Sequence, residues 1–177
     1  VGFTVSGLQG SDTTNNLSSI AASGATGKNV GSYTNTVTAG TETNYTVTTV
    51  NGALQVDKAN LIATGNSGSV TYNGANQSVG GFAVSGLLGS DSVSSLSSIV
   101  ASGATGKNVG SYTNTVTAGT EANYNVSTVN GSLQIGKANL ILSGTREYDA
   151  GKTFAGTHLT ATGVAGETFA LTGAGDT

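Results

Sequence analysis

The side chains able to do chemistry are few and dispersed. The chain carries one histidine, His158, so neither a histidine-based triad nor a multi-histidine metal site can form within one molecule. A surface place on a strand edge is its plainer role. The nine carboxylates stand singly apart from Glu147 near Asp149. Calcium modules gather several oxygens from acidic loops, and no DxDxDG run occurs. Asp91, Glu121 and the Glu147/Asp149 pair are the candidates for an interdomain ion, with capping and solubility as the simpler uses. Lys28 and Lys107 stand beside Asn29 and Asn108. A Lys-Asn isopeptide link needs a buried lysine and a carboxylate. Because adjacent strand residues point to opposite faces, Lys107 would need a distant asparagine such as Asn123.

Other patterns also read as structure before chemistry. Gly103, Gly106, Gly110 and Gly119 lack the strand, GxxxxGK[ST] and helix context of a phosphate cradle, so turns and bulges account for them. The threonine rows at Thr34, Thr36 and Thr38 could order water, but one short strand per repeat suits a hydrated β face. Tyr33, Tyr45, Tyr112 and Tyr124 could stack on a glycan, although their strand positions favour burial. No catalytic, cofactor-binding or metal-binding residue is assigned, no cofactor is expected, and the chain reads as a non-enzyme.

Composition narrows the class further. Cys, Met, Trp and Pro are absent, which excludes a disulfide scaffold and a thiol nucleophile without excluding export. A net charge of −3 with six scattered basic residues argues against nucleic acid as a partner. No apolar run approaches the roughly 18 residues of a membrane span.

The elements that must hold these residues are strands. Apolar side chains alternate at Phe82 and Val84, Tyr124 and Val126, and Leu133 and Ile135, placing each pair on one face of a pleated strand. Asn130-Gly131 predicts an antiparallel hairpin between 123–129 and 132–136, repeated around Asn51-Gly52. Residues 109–118 and 30–39 read as single strands with Tyr112, Asn114 and Val116 on one face. Asn73-Gly74 predicts a turn between strands at 69–72 and 78–85. Ser90-Asp91 followed by Val93, Leu96, Ile99 and Val100 suggests a short helix. The expected fold class is all-β: tandem small sandwich-like domains in an elongated array, or β-grasp-like ones if the helix forms. The expected core also takes in Ile62, Val70, Leu88, Val100, Val109 and Val129.

A long internal repeat organises the chain. The block ASGATGKNVGSYTNTVTAGTE at 22–42 recurs letter for letter at 101–121, an offset of about 79 residues, too long for a solenoid turn. With junctions at Lys58-Ala59-Asn60 and Lys137-Ala138-Asn139, the expected domains are a partial repeat at 1–57 lacking its first strands, a complete one at 58–136, and the start of a divergent one at 137–177. The expectation is a window on a longer array.

The motif GxNxGSYTxTVxAGxxxNYxVxxVNGxL, read at Gly27 and again at Gly106, resembles MBG-type repeat domains of large bacterial adhesins. The third stretch, SGTREYDAGKTFAGTHLTATGVAGETFALTGAGD from Ser143, is similar to the YDG domain, with Tyr148-Asp149 followed by Ala150 before Gly151. The two types stand together in filamentous-haemagglutinin-like exoproteins. The resemblance covers nearly the whole chain and implies export, by two-partner secretion or a similar route, to the bacterial surface or a secreted matrix. It implies a stalk or filament in cell adhesion or biofilm and transfers no site residue. Expected partners are neighbouring repeats of the same chain. Identical chains in a fibre, and an exopolysaccharide or host glycan held by a domain outside this stretch, are the alternatives, as is a glycan-binding role for the repeat itself.

Overall fold

A computed structural model describes residues 2–176. The fold is all-β, and the chain divides into two compact units, Val1–Asn60 with Thr120–Asn125, and Leu61–Gly119 with Val126–Thr177.

In the first unit the chain forms β1 (Ile20–Ala22), β2 (Gly31–Asn35), β3 (Val37–Ala39) and β4 (Gly52–Val56). Antiparallel pairing sets β1 against β3, with Ala21 opposite Thr38, and β2 against β4, with Tyr33 opposite Leu54. The expected single strand over 30–39 is therefore two. Thr36 donates its backbone N–H to the Ser23 hydroxyl at 3.0 Å, which takes it out of the ladder and lets β3 change partner.

The next strands are β5 (Ala59–Gly65), β6 (Gly68–Thr71), β7 (Gln77–Val79), β8 (Phe82–Ser85), β9 (Ile99–Ala101), β10 (Ala104–Gly106), β11 (Gly110–Asn114), β12 (Val116–Ala118), β13 (Tyr124–Val129) and β14 (Gly131–Gly136). Two sheets have three strands, in the orders β11-β14-β6 and β13-β5-β8, and two have two strands, β10-β7 and β12-β9. The core lies between them. Leu61 and Ala63 of β5, Ile99, Val116, Leu133 and Ile135 are buried, and Tyr72, Val79 and Tyr112 pack on the cluster of Ala104, Leu133 and Ile135.

Several expectations are corrected here. The hairpin around Asn130-Gly131 does not form: β13 and β14 join different sheets, and the corner turns the chain from one to the other. Gly131 serves close approach, since a Cβ there would collide with the backbone of Gly65 and Asn66, and its φ is not positive. Asn130 uses its Oδ1 to accept the Val116 N–H at 2.9 Å. The strand expected over 78–85 is broken by Gly81 at φ +78 into β7 and β8, which also serve different sheets. Gly74, at φ +77, does make the expected turn. The short helix contracts to one 3-10 turn, Val93–Ser95, before β9 begins at Ile99. Ser92 and its neighbours hydrogen-bond locally, with the Ser92 N–H donating to Ser95 Oγ, and such side chains compete with helix propagation. Ile62, Val70, Leu88, Val100, Val109 and Val129 are exposed, because narrow sheets with one packed face bury only alternate residues.

After the second junction the chain forms β15 (Leu142–Gly144), β16 (Thr153–Ala155), β17 (Leu159–Ala161) and β18 (Ala174–Asp176), with β15 antiparallel to β17 and β16 to β18. Arg146 closes the intervening loop by donating to the Thr153 and Gly151 carbonyls, and its guanidinium lies 3.4 Å from the Asp149 carboxylate. Among the described residues no helix is long and apolar enough to cross a membrane.

Candidate functional site

The structure keeps the chemically capable side chains apart. Among the described residues no three His, Cys, Asp or Glu side chains gather as a metal site would require. His158 is exposed at the end of a 3-10 turn. Lys28 and Lys107 are exposed, which removes the burial that an isopeptide link needs. Asp149 is tied into its own loop, where the Gly151 N–H and then Arg146 hold its carboxyl below the usual range. The threonine row at 34, 36 and 38 faces solvent.

The tyrosines act as struts. The Tyr33 ring lies over Gly27, where a Cβ would overlap it, and its hydroxyl donates to Asn29 O at 2.8 Å; Tyr112 repeats this over Gly106 with Asn108 O at 2.9 Å. Tyr45 donates to Asp12 at 2.5 Å, which raises its pKa, and Tyr124 is buried. Tyr72 donates to Glu167, and that bond raises the phenol's pKa.

Polar anchors missed by motif reading lie on the inward face of β11 and in the loop after β3. Asn114 is fully buried. Its Oδ1 accepts the Gly103 N–H at 2.9 Å, and its amide donates to Asn66 O at 3.1 Å and Gly81 O at 2.9 Å. Glu42 accepts the Ser19 hydroxyl at 2.6 Å and the Ser19 and Ser18 N–H groups at 2.8 and 3.1 Å; the Ser19 hydroxyl bond leads in lowering its pKa. For Asn114 the available signal was a polar residue in the apolar phase of an alternating strand.

Two further features belong to the first unit. The first is a corner built from 29–30, Lys58 and 120–125. Asn123 accepts the Val30 N–H at 3.0 Å and donates to Asn29 Oδ1 at 3.2 Å, Lys58 Nζ donates to Glu121 O at 2.6 Å, and the Ala59 N–H donates to Asn123 O at 3.0 Å. Thr120–Asn125, well inside the second repeat's sequence, thus belong to the same compact unit as the first repeat.

The second is a cleft of about 920 Å³ bordered by 2–8 and 45–52 and floored by Leu17, Ile20, Asn35 and Val37. Position by position these borders match β8 and β13 of the second repeat, between which β5 runs. In the first repeat neither 3–6 nor 45–50 forms a strand. Asn35 accepts the Gly24 N–H at 2.8 Å like its counterpart Asn114, but its amide reaches only Gly2 O at 3.4 Å. Leu54 is 39% exposed where Leu133 is 1% exposed. The same residues in the same order are thus less buried where a central strand is not inserted between them.

Comparison with known families gives a match to the MBG domain (YGX type) at residues 1–55 and again at 61–134. No curated protein and no solved structure is similar enough to count as a match.

Proposed function

The chain belongs to the MBG domain (YGX type) family of repeat domains from large surface proteins, and on that premise we propose that it is a non-enzymatic stalk segment of an extracellular bacterial adhesin or matrix fibre. In this reading the repeats extend a binding tip from the cell, and residues 137–177 begin a divergent YDG-like domain. The observation that carries the proposal is the corner in the first unit. A unit finished by Glu121 and Asn123 from the following repeat ties successive repeats together by backbone and side-chain bonds, which suits a load-bearing array better than independent binding modules. Support also comes from the tyrosine struts, whose rings and hydroxyls are used internally. Small-angle scattering on chains of one, two and four repeats tests the reading. The expected maximum dimension grows in proportion to repeat number; a globular profile whose radius follows roughly the cube root of length refutes it.

A further inference from the structure

The sequence holds three Asn-Gly pairs, Asn51-Gly52, Asn73-Gly74 and Asn130-Gly131. In such a pair the glycine nitrogen lies one Cα away from the asparagine side-chain carbonyl carbon, and no Cβ on the following residue obstructs their approach. In all three the asparagine Oδ1 already accepts a backbone N–H, from Val37 at 3.0 Å, Ala75 at 3.0 Å and Val116 at 2.9 Å. A donor so placed favours the negative charge that gathers on this oxygen when the carbonyl carbon is attacked. What separates the pairs is the backbone. Closing a five-membered ring requires the peptide between the two residues to rotate, and a ladder resists that rotation. Gly52 opens β4 opposite Asn35, and Gly131 opens β14 opposite Asn114 and is buried.

Asn73-Gly74 lies between β6 and β7, outside every strand, with Asn73 exposed. The turn it makes is also a contact. A Cβ on Gly74 would lie 2.8 Å from the Ala165 Cβ, and Tyr72 donates its hydroxyl to Glu167. Both partners belong to residues 164–167, in the same compact unit as the turn. There Ala165 holds φ +53, in the left-handed region that a residue with a Cβ occupies when its surroundings hold it.

We propose that Asn73-Gly74 is a self-modifying site, at which intramolecular deamidation slowly detaches residues 164–167 from the second repeat. The Gly74 nitrogen gives its proton to hydroxide and bonds to Asn73 Cγ; the Cγ–Nδ2 bond breaks, and Nδ2 leaves as ammonia with a proton from water. Water then opens the cyclic imide. Attack at Cγ gives aspartate, and attack at the Asn73 main-chain carbonyl carbon gives isoaspartate, with the chain running through Cγ. Every step is hydrolytic. Either product puts a carboxylate next to Tyr72, whose partner Glu167 is itself a carboxylate, so like charges are brought together at that bond. Isoaspartate also inserts a methylene into a turn that has no room at Gly74. With both contacts weakened, Ala165 is no longer held in its left-handed conformation. The inference stands apart from the stalk reading, since it concerns one turn and the segment that the turn holds.

Peptide mapping by mass spectrometry of the whole chain, held at mildly alkaline pH, tests the chemistry, with isoaspartate scored by enzymatic carboxyl methylation. Asn73 is expected to convert about tenfold faster than Asn130, a gap that ~1.4 kcal/mol of ladder restraint supplies. The rate should rise with pH, because the Gly74 nitrogen must lose its proton. Asn73→Gln is expected to stay unmodified at this position, since its longer side chain would have to close a six-membered ring. Detachment is read by amide exchange on the modified fraction, separated by its added charge. The Gly163 and Glu167 N–H groups donate to Glu167 O and Val164 O at 3.0 and 3.2 Å, and their protection should fall about tenfold while β11 and β14 keep theirs. The proposal is overturned by conversion at Asn73 no faster than at Asn130, or by an unmodified Asn73 while a free peptide of residues 71–77 converts. Unchanged protection at Gly163 and Glu167 in the modified fraction overturns it too, as does an equal loss in aged Asn73→Gln, whose cause would lie elsewhere.

Discussion

Replacing Asn114 by alanine separates the two repeats most sharply. In the second repeat the side chain is fully buried and serves three backbone groups. The Gly81 carbonyl keeps a second donor, the Asn66 N–H at 3.1 Å. The truncation therefore leaves the Gly103 N–H and the Asn66 carbonyl without these partners. Each buried orphan costs about 1–3 kcal/mol, and the small cavity adds to that, so Asn114→Ala should destabilise its repeat by about 3–5 kcal/mol. At the matching position Asn35 is half-buried and has one short bond, to the Gly24 N–H, which water can replace. Asn35→Ala should cost about 1 kcal/mol. Native-state amide exchange reads the repeats separately within one chain. Protection in β11 and β14 should fall steeply in Asn114→Ala, while protection in β2 and β4 should change little in Asn35→Ala. Equal losses at the two sites, or a loss below about 1 kcal/mol for Asn114→Ala, would refute the burial argument.

Gly131→Ala should destabilise its repeat by about 2 kcal/mol or more in urea unfolding, because the new Cβ overlaps the Gly65 and Asn66 backbone, whereas Gly52→Ala, whose Cβ would meet Asn35 side-chain atoms at ordinary contact distance, the nearest at 3.6 Å, should be nearly neutral. Glu42 has a lowered folded pKa set first by the Ser19 hydroxyl, so its contribution is complete above the ordinary glutamate range near 4.3 and is lost as pH falls through the folded value. Amide chemical shifts of Ser18 and Ser19 should follow that acid titration, and Glu42→Gln should abolish it. Tyr72 has a raised pKa because it donates to Glu167, so its contribution is present below the ordinary tyrosine range near 10 and is lost as pH rises through the folded value. Tyr72→Phe should remove this alkaline step from a thermal-melting profile.

Legibility from sequence followed the range of the interactions involved. Alternation at Leu133 and Ile135, at Tyr112, Asn114 and Val116, and along the threonine row is local, and the observed inward and outward faces follow it. Partner choice is not local. Asn130-Gly131 has the composition of a hairpin turn, yet a strand some 65 residues earlier runs beside β13, and the glycine is used for contact with that strand's end. The helix-like spacing from Val93 to Val100 gave way because Ile99–Ala101 found a strand partner in β12. Asn114 and Glu42 were visible as residues but not as anchors, since their partners come from other segments.

The amino-acid order alone determined that this is an all-β member of a repeat family with dispersed titratable groups. Composition, two-residue periodicity and a duplicated block are all properties of the chain read in one dimension. Tertiary structure decided which strands pair, and that is where the two repeats part. The segment Phe82–Ser85 becomes β8 because Leu61–Gly65 runs beside it, while Phe3–Ser6, with nearly the same residues, forms no strand. A strand's hydrogen bonds and half of its burial are supplied by its neighbours, so nearly identical sequences acquire different structures from what lies alongside them.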